Sequence, residues 1–387
     1  MTPEAHVAAA IEVLDAVIGG DSAERVLTTW GRQHRFAGSG DRAAIRDHVF
    51  DALRRLRSSA ARGGAMTGRG VMIGLLRDRG TDPETLFTGE GHAPAPLDAA
   101  ERRLPPEPDP LDALDCPAWL APALSTSLGA DFAPVMEALR HRAPVFLRAN
   151  LARTTPGAAA DRLAGEGIET RPHPLAATAL EVLTHPRRVA SSAAFREGLV
   201  ELQDAASQAV ADAVPLVRGS RLLDYCAGGG GKTLAMAART PARYFAHDAD
   251  AGRMADLPGR AKRANVRVDL LQTGDLAGQP PFDTVFVDAP CSGSGSWRRA
   301  PQGKWRLDAA GLDRLTALQD GILDSAAALV AANGHLVYAT CSLLDAENRD
   351  RVAAFLGRAP GWSCLTERRL TPLDGGDGFY VAVLNRQ

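Results

Sequence analysis

Cys291, in Asp288-Ala-Pro-Cys-Ser-Gly-Ser-Gly, and Cys341, in Thr340-Cys-Ser, lie fifty residues apart. Each follows an apolar run with the pattern of a strand, Thr284-Val-Phe-Val-Asp288 and His335-Leu-Val-Tyr-Ala-Thr340. Strands ending this way deliver both thiols to one rim of a parallel sheet, the edge at which open α/β sheets bind ligands and do chemistry. A thiol yields useful thiolate at neutral pH after a modest drop from its free pKa of ~8.5. Two of them beside Asp288 therefore point to covalent catalysis rather than packing. The ordinary fate of a cysteine is a buried structural thiol, and Cys116 and Cys364 are read that way. The five cysteines are odd in number, widely spaced and free of any Cys-X-X-Cys pair, which argues against a disulfide framework and against zinc. No metal is expected.

A second constellation precedes the first. Leu222-Leu-Asp-Tyr-Cys-Ala-Gly-Gly-Gly-Gly-Lys-Thr233 reads as a strand, a glycine turn and a helix start. A phosphate-binding P-loop needs glycine where Cys226 stands, and a dinucleotide fingerprint needs glycine where Thr233 stands, so both fail their spacing. S-adenosylmethionine asks for carboxylates instead: one after the first strand, one ending the second for the ribose hydroxyls, one ending the third near adenine. Asp224, Asp248 and Asp275 occupy those places. The cofactor set is therefore Asp224, the turn Cys226, Ala227, Gly228, Gly229, Gly230 and Gly231, then Lys232, Asp248, Arg253, Asp275 and Asp288. Within it Cys226 is expected to pack, and Lys232 to orient the carboxylates or reach a substrate phosphate.

The elements that must position these residues are legible from periodicity. From about residue 204 strands and helices alternate: Arg221–Tyr225, Arg243–His247, Val266–Leu271, Thr284–Asp288 and His335–Thr340, with helices over Lys232–Arg239 and Gly311–Ala332 and a last strand near Gly378–Asn385. That alternation predicts an α/β domain with a doubly wound, mostly parallel sheet. Upstream, Val145–Asn150 and Leu180–Leu183 read as strands around a helix over Pro156–Leu163, a small α+β module. Residues 4–60 carry apolar side chains at helical spacing (Val7, Ile11, Leu14, Val17, then Ile45, Val49, Leu53, Leu56), with Asp41 as an N-cap. A Pro-rich stretch over roughly 89–115 reads as a linker or extended connection, and helical patterning resumes from Pro117 to about Arg140. The expected domains are 1–138, all-α; 139–203, the α+β module; and 204–387, the α/β domain.

Bulk properties exclude some classes. A net charge of −2 makes no global case for a polyanionic partner. Lysine is confined to Lys232, Lys262 and Lys304 while arginine is abundant, so arginine clusters count for less than usual. No run of about eighteen apolar residues suggests a membrane span. Met1-Thr-Pro-Glu-Ala-His lacks a signal-peptide pattern, so a cytoplasmic protein is expected. A monomer is expected.

Taken together, Cys226-Ala-Gly-Gly-Gly-Gly-Lys-Thr, Asp288-Ala-Pro-Cys-Ser-Gly-Ser-Gly with Arg298-Arg-Ala-Pro and Lys304-Trp, Thr340-Cys-Ser with Glu347-Asn, Gln203-Asp-Ala-Ala-Ser-Gln208, Arg148-Ala-Asn and Asp377-Gly-Phe-Tyr resemble the RsmB/Nop/Sun family of RNA cytosine-5 methyltransferases. The match runs over about 145–387. Asp41-Arg-Ala-Ala-Ile-Arg-Asp-His-Val-Phe and Pro117-Ala-Trp-Leu are similar to the NusB-like RNA-binding domain of the bacterial RsmB branch. The resemblance implies a Rossmann-like class I methyltransferase domain, an RRM-like α+β module, S-adenosylmethionine as cofactor and RNA, ribosomal in particular, as substrate. It gives Cys341 the nucleophile's role, Cys291 product release and Asp288 the positioning of the base. Gly228-Gly229 depart from the family's usual Ala-Pro, which loosens the loop but leaves its backbone donors in place.

The chemistry stands beside the resemblance. Carbon 5 of cytosine is a poor nucleophile; a thiolate adding to carbon 6 makes it enamine-like, and a second group must then remove the carbon 5 proton so that the thiol departs. Spacing alone does not say which cysteine attacks: a DNA cytosine-5 methyltransferase would use Cys291. A non-catalytic RNA-binding assembly factor would not need both thiols. Two acid-free basic stretches, Ala138–Ala160 with Arg148 and Ala289–Leu307 with Arg298, Arg299 and Lys304, suit phosphate contacts with RNA.

Overall fold

Apolar side chains at three- and four-residue spacing produce five helices at the N-terminus, Pro3–Ile18, Ala23–Gln33, Ser39–Arg54, Leu56–Gly63 and Gly68–Asp78. Val7, Leu14, Ile45, Val49, Leu53, Met72 and Ile73 share their common core. The computed structural model describes all 387 residues. It divides into two compact units: Met1–Arg142 with the short segment Trp297–Arg306, and Ala143–Ser296 with Leu307–Gln387. Asp41, expected as an N-cap, is the third residue of its helix. Gly38 caps it, and the Asp41 carboxylate accepts from the Gly38 N–H at 2.8 Å, which satisfies the orphan donor from inside the first turn. The Pro-rich stretch is not a free linker, because Leu97 is buried in the helical core and a short helix forms over Pro110–Ala113.

The second unit holds two sheets. In the first, β1 (Phe146–Ala149), β2 (Thr170–Pro172), β3 (Ala179–Val182) and β4 (Val200–Leu202) run in the order β2-β3-β1-β4, every pairing antiparallel. The helix Pro156–Gly165 covers it through Leu163 and Ala159. Three-residue strands such as β2 and β4 carry too little alternation to be read from sequence.

The second sheet comprises β5 (Arg221–Asp224), β6 (Arg243–Ala246), β7 (Val268–Leu270), β8 (Phe282–Asp288), β9 (Val330–Thr340), β10 (Trp362–Leu370) and β11 (Phe379–Arg386). Its order is β10-β11-β9-β8-β5-β6-β7. β5 to β9 pair in parallel and β11 runs antiparallel between β9 and β10. Central strands are buried on both faces (Leu222, Leu223, Val285, Phe286, Val287, Leu336, Val337), which is why they read as unbroken apolar runs. Strand order reverses between β5 and β8, and this switch point opens a crevice at the C-terminal strand ends. The long helix ends at Ala327 rather than Ala332, since β9 begins at Val330 and turns through Asn333 at φ 60°. β10 escaped the sequence because it is an exposed, charged edge strand, the usual guard against edge pairing. No helix is long and apolar enough to cross a membrane.

Candidate active site

The first wall of the crevice is the turn leaving β5. Asp224 is 1% exposed and its Oδ2 accepts from the Thr233 hydroxyl at 2.6 Å, while Oδ1 has no partner. Burial, with Asp288 adding and the Thr233 hydrogen bond opposing, pushes its carboxyl up to about 7. The chain then turns through Gly228 and Gly230 at φ 49° and 75°, a left-handed conformation that glycine adopts without strain. A Cβ on Gly230 would stand 2.2 Å from Leu257 Cδ1. An alanine in place of Gly228 would be strained in this turn, so the departure from Ala-Pro is matched by the backbone. The Gly228 N–H donates to Asp248 Oδ2 at 2.9 Å, and Arg253 pairs with the same oxygen at 3.3 Å. His247 ties three strand ends together, 2.7 Å from the Tyr225 carbonyl and 3.0 Å from the Thr273 hydroxyl. Asp275 is exposed in the turn after β7, where its carboxylate accepts from the Gln272 N–H. Cys226 is half-buried, and burial raises its thiol.

The other wall comes from β8 and β9. Lys232, in the first turn of the helix after the glycines, reaches Asp288 at 2.6 Å. Burial opposes its charge, but Asp288 outweighs burial and the ammonium is held above its ordinary range. The sulfurs of Cys291 and Cys341 lie 3.5 Å apart. The Cys341 thiol is lowered chiefly by its hydrogen bond with Cys291; burial and Asp288 oppose this and Lys232 adds to it. Cys291 is raised by that same hydrogen bond, by burial and by the charges of Cys341 and Glu347. Two identical thiols are thus made unequal: their shared hydrogen bond raises one and lowers the other, Glu347 raises Cys291 further, and Asp288 and Lys232 act in opposite senses on Cys341.

Sequence reasoning brought Asp224, Lys232, Asp248, Asp288, Cys291 and Cys341 to one rim, and the fold assembles them there. It missed the polar ring behind the thiols. Ser292, Ser342 and Gln319 converge on the buried Glu347, with Ser294 against Ser342, and the signal was the serine following each cysteine. Two basic residues expected to meet RNA are corrected. Arg148 is 2% exposed on β1, and its guanidinium donates to Gln203 Oε1 at 2.6 Å and the Gly231 carbonyl at 2.7 Å; it braces the glycine turn from below. Lys304 is 1% exposed inside the helical unit. Neither offers a donor to a phosphate in this arrangement. Arg298 is also buried, with its carbonyl accepting from Arg54, whereas Arg299 is exposed. Trp297 is fully buried and not available for stacking.

A parallel sheet of this order, with an antiparallel strand inserted beside its last parallel one and an acid–glycine turn at its switch point, defines a class I, Rossmann-like methyltransferase fold. The family model described as 16S rRNA methyltransferase RsmB/F matches residues 213–385, and one described as an RsmF/B-like ferredoxin-like domain matches residues 116–190. Over residues 116–190 and 213–385 the chain thus carries the domains of the RsmB/F family. Ribosomal RNA small subunit methyltransferase B of Salmonella newport (strain SL254) is 34% identical over 284 residues, covering 69% of this chain and 66% of the relative. The protein of the same name from Yersinia pseudotuberculosis serotype O:1b is 32% identical over 282 residues, covering 69% and 65%. The chain therefore spans slightly less than two thirds of these relatives' length. Among solved structures, that of PH0851 superposes over 100% of this chain and 99% of its own with a TM-score of 0.80 at 21% identity. NSun6 from Pyrococcus horikoshii covers 70% of this chain and 98% of its own, with a TM-score of 0.63 at 17% identity. These two likenesses concern the fold.

Proposed function

We propose that this protein is an S-adenosylmethionine-dependent RNA methyltransferase that forms 5-methylcytosine, with ribosomal RNA as substrate, through a covalent adduct to Cys341. The observation that carries this reading is the pair of unequal thiols, 3.5 Å apart beside the Lys232–Asp288 ion pair. The residues fit the cofactor: Asp224 keeps one buried oxygen unpaired, the left-handed glycine turn admits close approach, and Asp248 stands at the end of β6. When bound there, S-adenosylmethionine supplies an electrophilic methyl group. Asp224 and Asp248 would hold it, with Arg253 and Asp275 at the margin.

Cys341 attacks because the Cys291 S–H, with the Lys232 ammonium adding to it, favours its thiolate against burial and Asp288. Its sulfur bonds to carbon 6 of an unstacked cytosine, and the electron pair released to carbon 5 makes that carbon nucleophilic. Asp288, oriented by Lys232, accepts a hydrogen bond from the exocyclic amine. After methyl transfer Cys291, once deprotonated, takes the carbon 5 proton; the electron pair of that C–H bond re-forms the carbon 5–carbon 6 double bond, the carbon 6–sulfur bond breaks and Cys341 leaves as thiolate. The base must be unpaired or flipped to reach the rim.

Cys341→Ala is expected to abolish methylation of RNA. Cys291→Ser is expected to accumulate an RNA adduct that survives denaturing electrophoresis. An adduct trapped by the Cys341 variant instead would exchange the two roles. Bisulfite sequencing of cellular RNA with and without the protein would locate the modified cytosine, and an unchanged pattern would sink the proposed reaction.

A further inference from the structure

Each of the two cysteines is followed by a serine, and the two serines meet on one carboxylate. Glu347, wholly buried in the turn after β9, accepts from the Ser292 N–H at 2.8 Å, the Ser292 hydroxyl at 2.5 Å, the Ser342 hydroxyl at 2.5 Å and Gln319 Nε2 at 3.1 Å. Ser294 closes the ring, with its oxygen 3.1 Å from that of Ser342 while accepting from the Leu343 N–H at 2.8 Å. The turn that carries Glu347 is itself tied down. The Tyr338 hydroxyl donates to the Glu347 carbonyl at 2.7 Å, the Thr340 hydroxyl to Asn348 at 2.5 Å, and Asn348 Nδ2 to the Ser342 carbonyl at 2.9 Å.

We propose that Glu347 is a positioning residue that staples the Cys291 loop to the Cys341 loop and thereby sets the separation of the two sulfurs. It rests on the catalytic reading above and deepens it. A buried carboxylate is tolerated only where donors surround it, and here the donors come from both cysteine loops and from the helix Ala309–Ala327. Gln319 strengthens the case. Its amide nitrogen serves both the Pro290 carbonyl and Glu347 while its own oxygen has no partner. The alternative amide orientation would set an acceptor against two acceptors. An orphaned buried oxygen is a cost the local structure carries so that Glu347 and the Cys291 loop stay fastened.

The charges divide accordingly. Cys291 faces Cys341, Glu347 and the Gly293 N–H, with the Tyr338 ring nearby. Cys341 faces Cys291, Asp288, Lys232 and Ser296. The hydrogen bond between the sulfurs and the Glu347 carboxylate keep the proton on Cys291, and that hydrogen bond favours the thiolate on Cys341 against burial and Asp288, with Lys232 adding to it.

The test uses the full chain and iodoacetamide, with the alkylated cysteine identified by mass spectrometry across a pH series. In the native protein Cys341 should alkylate at lower pH than Cys291. Glu347→Gln keeps the size but removes the charge and one acceptor, and should narrow the gap between the two midpoints by on the order of one pH unit. It should also lower kcat by on the order of 10² with KM for both substrates unchanged, the expected penalty for a small misplacement of reacting groups. A folded Glu347→Gln protein with native alkylation profiles would overturn the proposal whether or not its activity fell. Should that variant fail to fold, Ser342→Ala, which keeps the charge and removes one strut, should lower kcat and move the Cys341 midpoint; unchanged values there would overturn it equally. Alkylation reads the thiols without any RNA, so a native protein that methylates nothing yet shows the predicted profiles would sink the proposed reaction and leave the staple standing.

Discussion

Two buried clusters of charge, one in each unit, are built from the same residue types and finished differently. In the helical unit Asp115 is 0% exposed and accepts from the N–H groups of Arg57 and Ser58 at 2.9 and 3.0 Å, the Ser58 hydroxyl at 2.7 Å and Arg140 Nε at 2.9 Å. Both its oxygens are used. Lys304, buried in the same unit, donates to the Arg54 carbonyl at 3.3 Å and lies 4.5 Å from the centre of the Trp305 ring. At the methyltransferase rim, Asp224 has Thr233 alone and leaves an oxygen unpaired, and Lys232 is paired with an Asp288 that is 32% exposed. A closed cluster supports the fold. An open one retains unused hydrogen-bonding capacity, which native structures keep mainly where a ligand or a reaction uses it.

The sharpest way to break this contrast is at the two buried lysines and their acids. Lys232→Met should cost the most in function. Without the ammonium, Cys341 loses one of the three influences that favour its thiolate, and Asp288 loses its anchor. Methyl transfer should fall by on the order of 10²–10³, within the range of preorganised electrostatic groups, and the Cys341 alkylation midpoint should move to higher pH. A Lys232→Met protein with native rate would place that lysine among the structural residues. Asp115→Ala should do the reverse. It strands Arg140 and several buried donors, a loss of about 3–5 kcal/mol for a broken buried pair, read as a lower thermal midpoint for the helical unit. The Cys291 and Cys341 alkylation profiles should not change. A changed profile with native thermal stability would refute the distinction between the clusters.

The same contrast explains what could be read from the chain alone. The parallel strands were legible because strands buried on both faces must be apolar throughout, and the rim residues because they sit where those strands end. Cys291, Cys341, Asp224 and Asp288 were found by that rule. Lys304 and Arg148 were misplaced because residue type is silent about depth. Lys304 follows the Cys291 loop in sequence, yet the segment Trp297–Arg306 is built into the helical unit, with Trp305 Nε1 donating to the Leu53 carbonyl at 2.7 Å and Gln302 bonding both Ala23 and Asp21. Those partners lie more than 240 residues away in sequence, beyond the reach of any local pattern. Glu347 was quoted only as part of a motif, since nothing in Glu-Asn announces that two cysteine loops converge on it.

The finest discrimination between the clusters is by pH, because their two perturbed groups act with opposite slopes. Asp224 is raised by burial from 3.8 to about 7. The folded protein therefore binds more protons than the unfolded chain between those values, and stability falls as pH rises through the window. Lys304 is lowered by burial, against the pull of Asp115, from 10.5 to about 8. Here the unfolded chain binds more protons, so stability rises as pH climbs from about 8 to about 10.5. Urea unfolding across both windows should show Asp224→Asn flattening the falling limb and Lys304→Met the rising limb, each leaving the other intact. A cationic ligand that brings a donor to the free oxygen of Asp224 should lower its pKa and erase the falling limb as well. No ligand of the rim should alter the rising limb, because the Lys304 cluster is already closed by protein. Loss of both limbs on adding S-adenosylhomocysteine or a sulfonium analogue would mean that the two clusters are energetically linked, and the division between a closed structural cluster and an open functional one would fail.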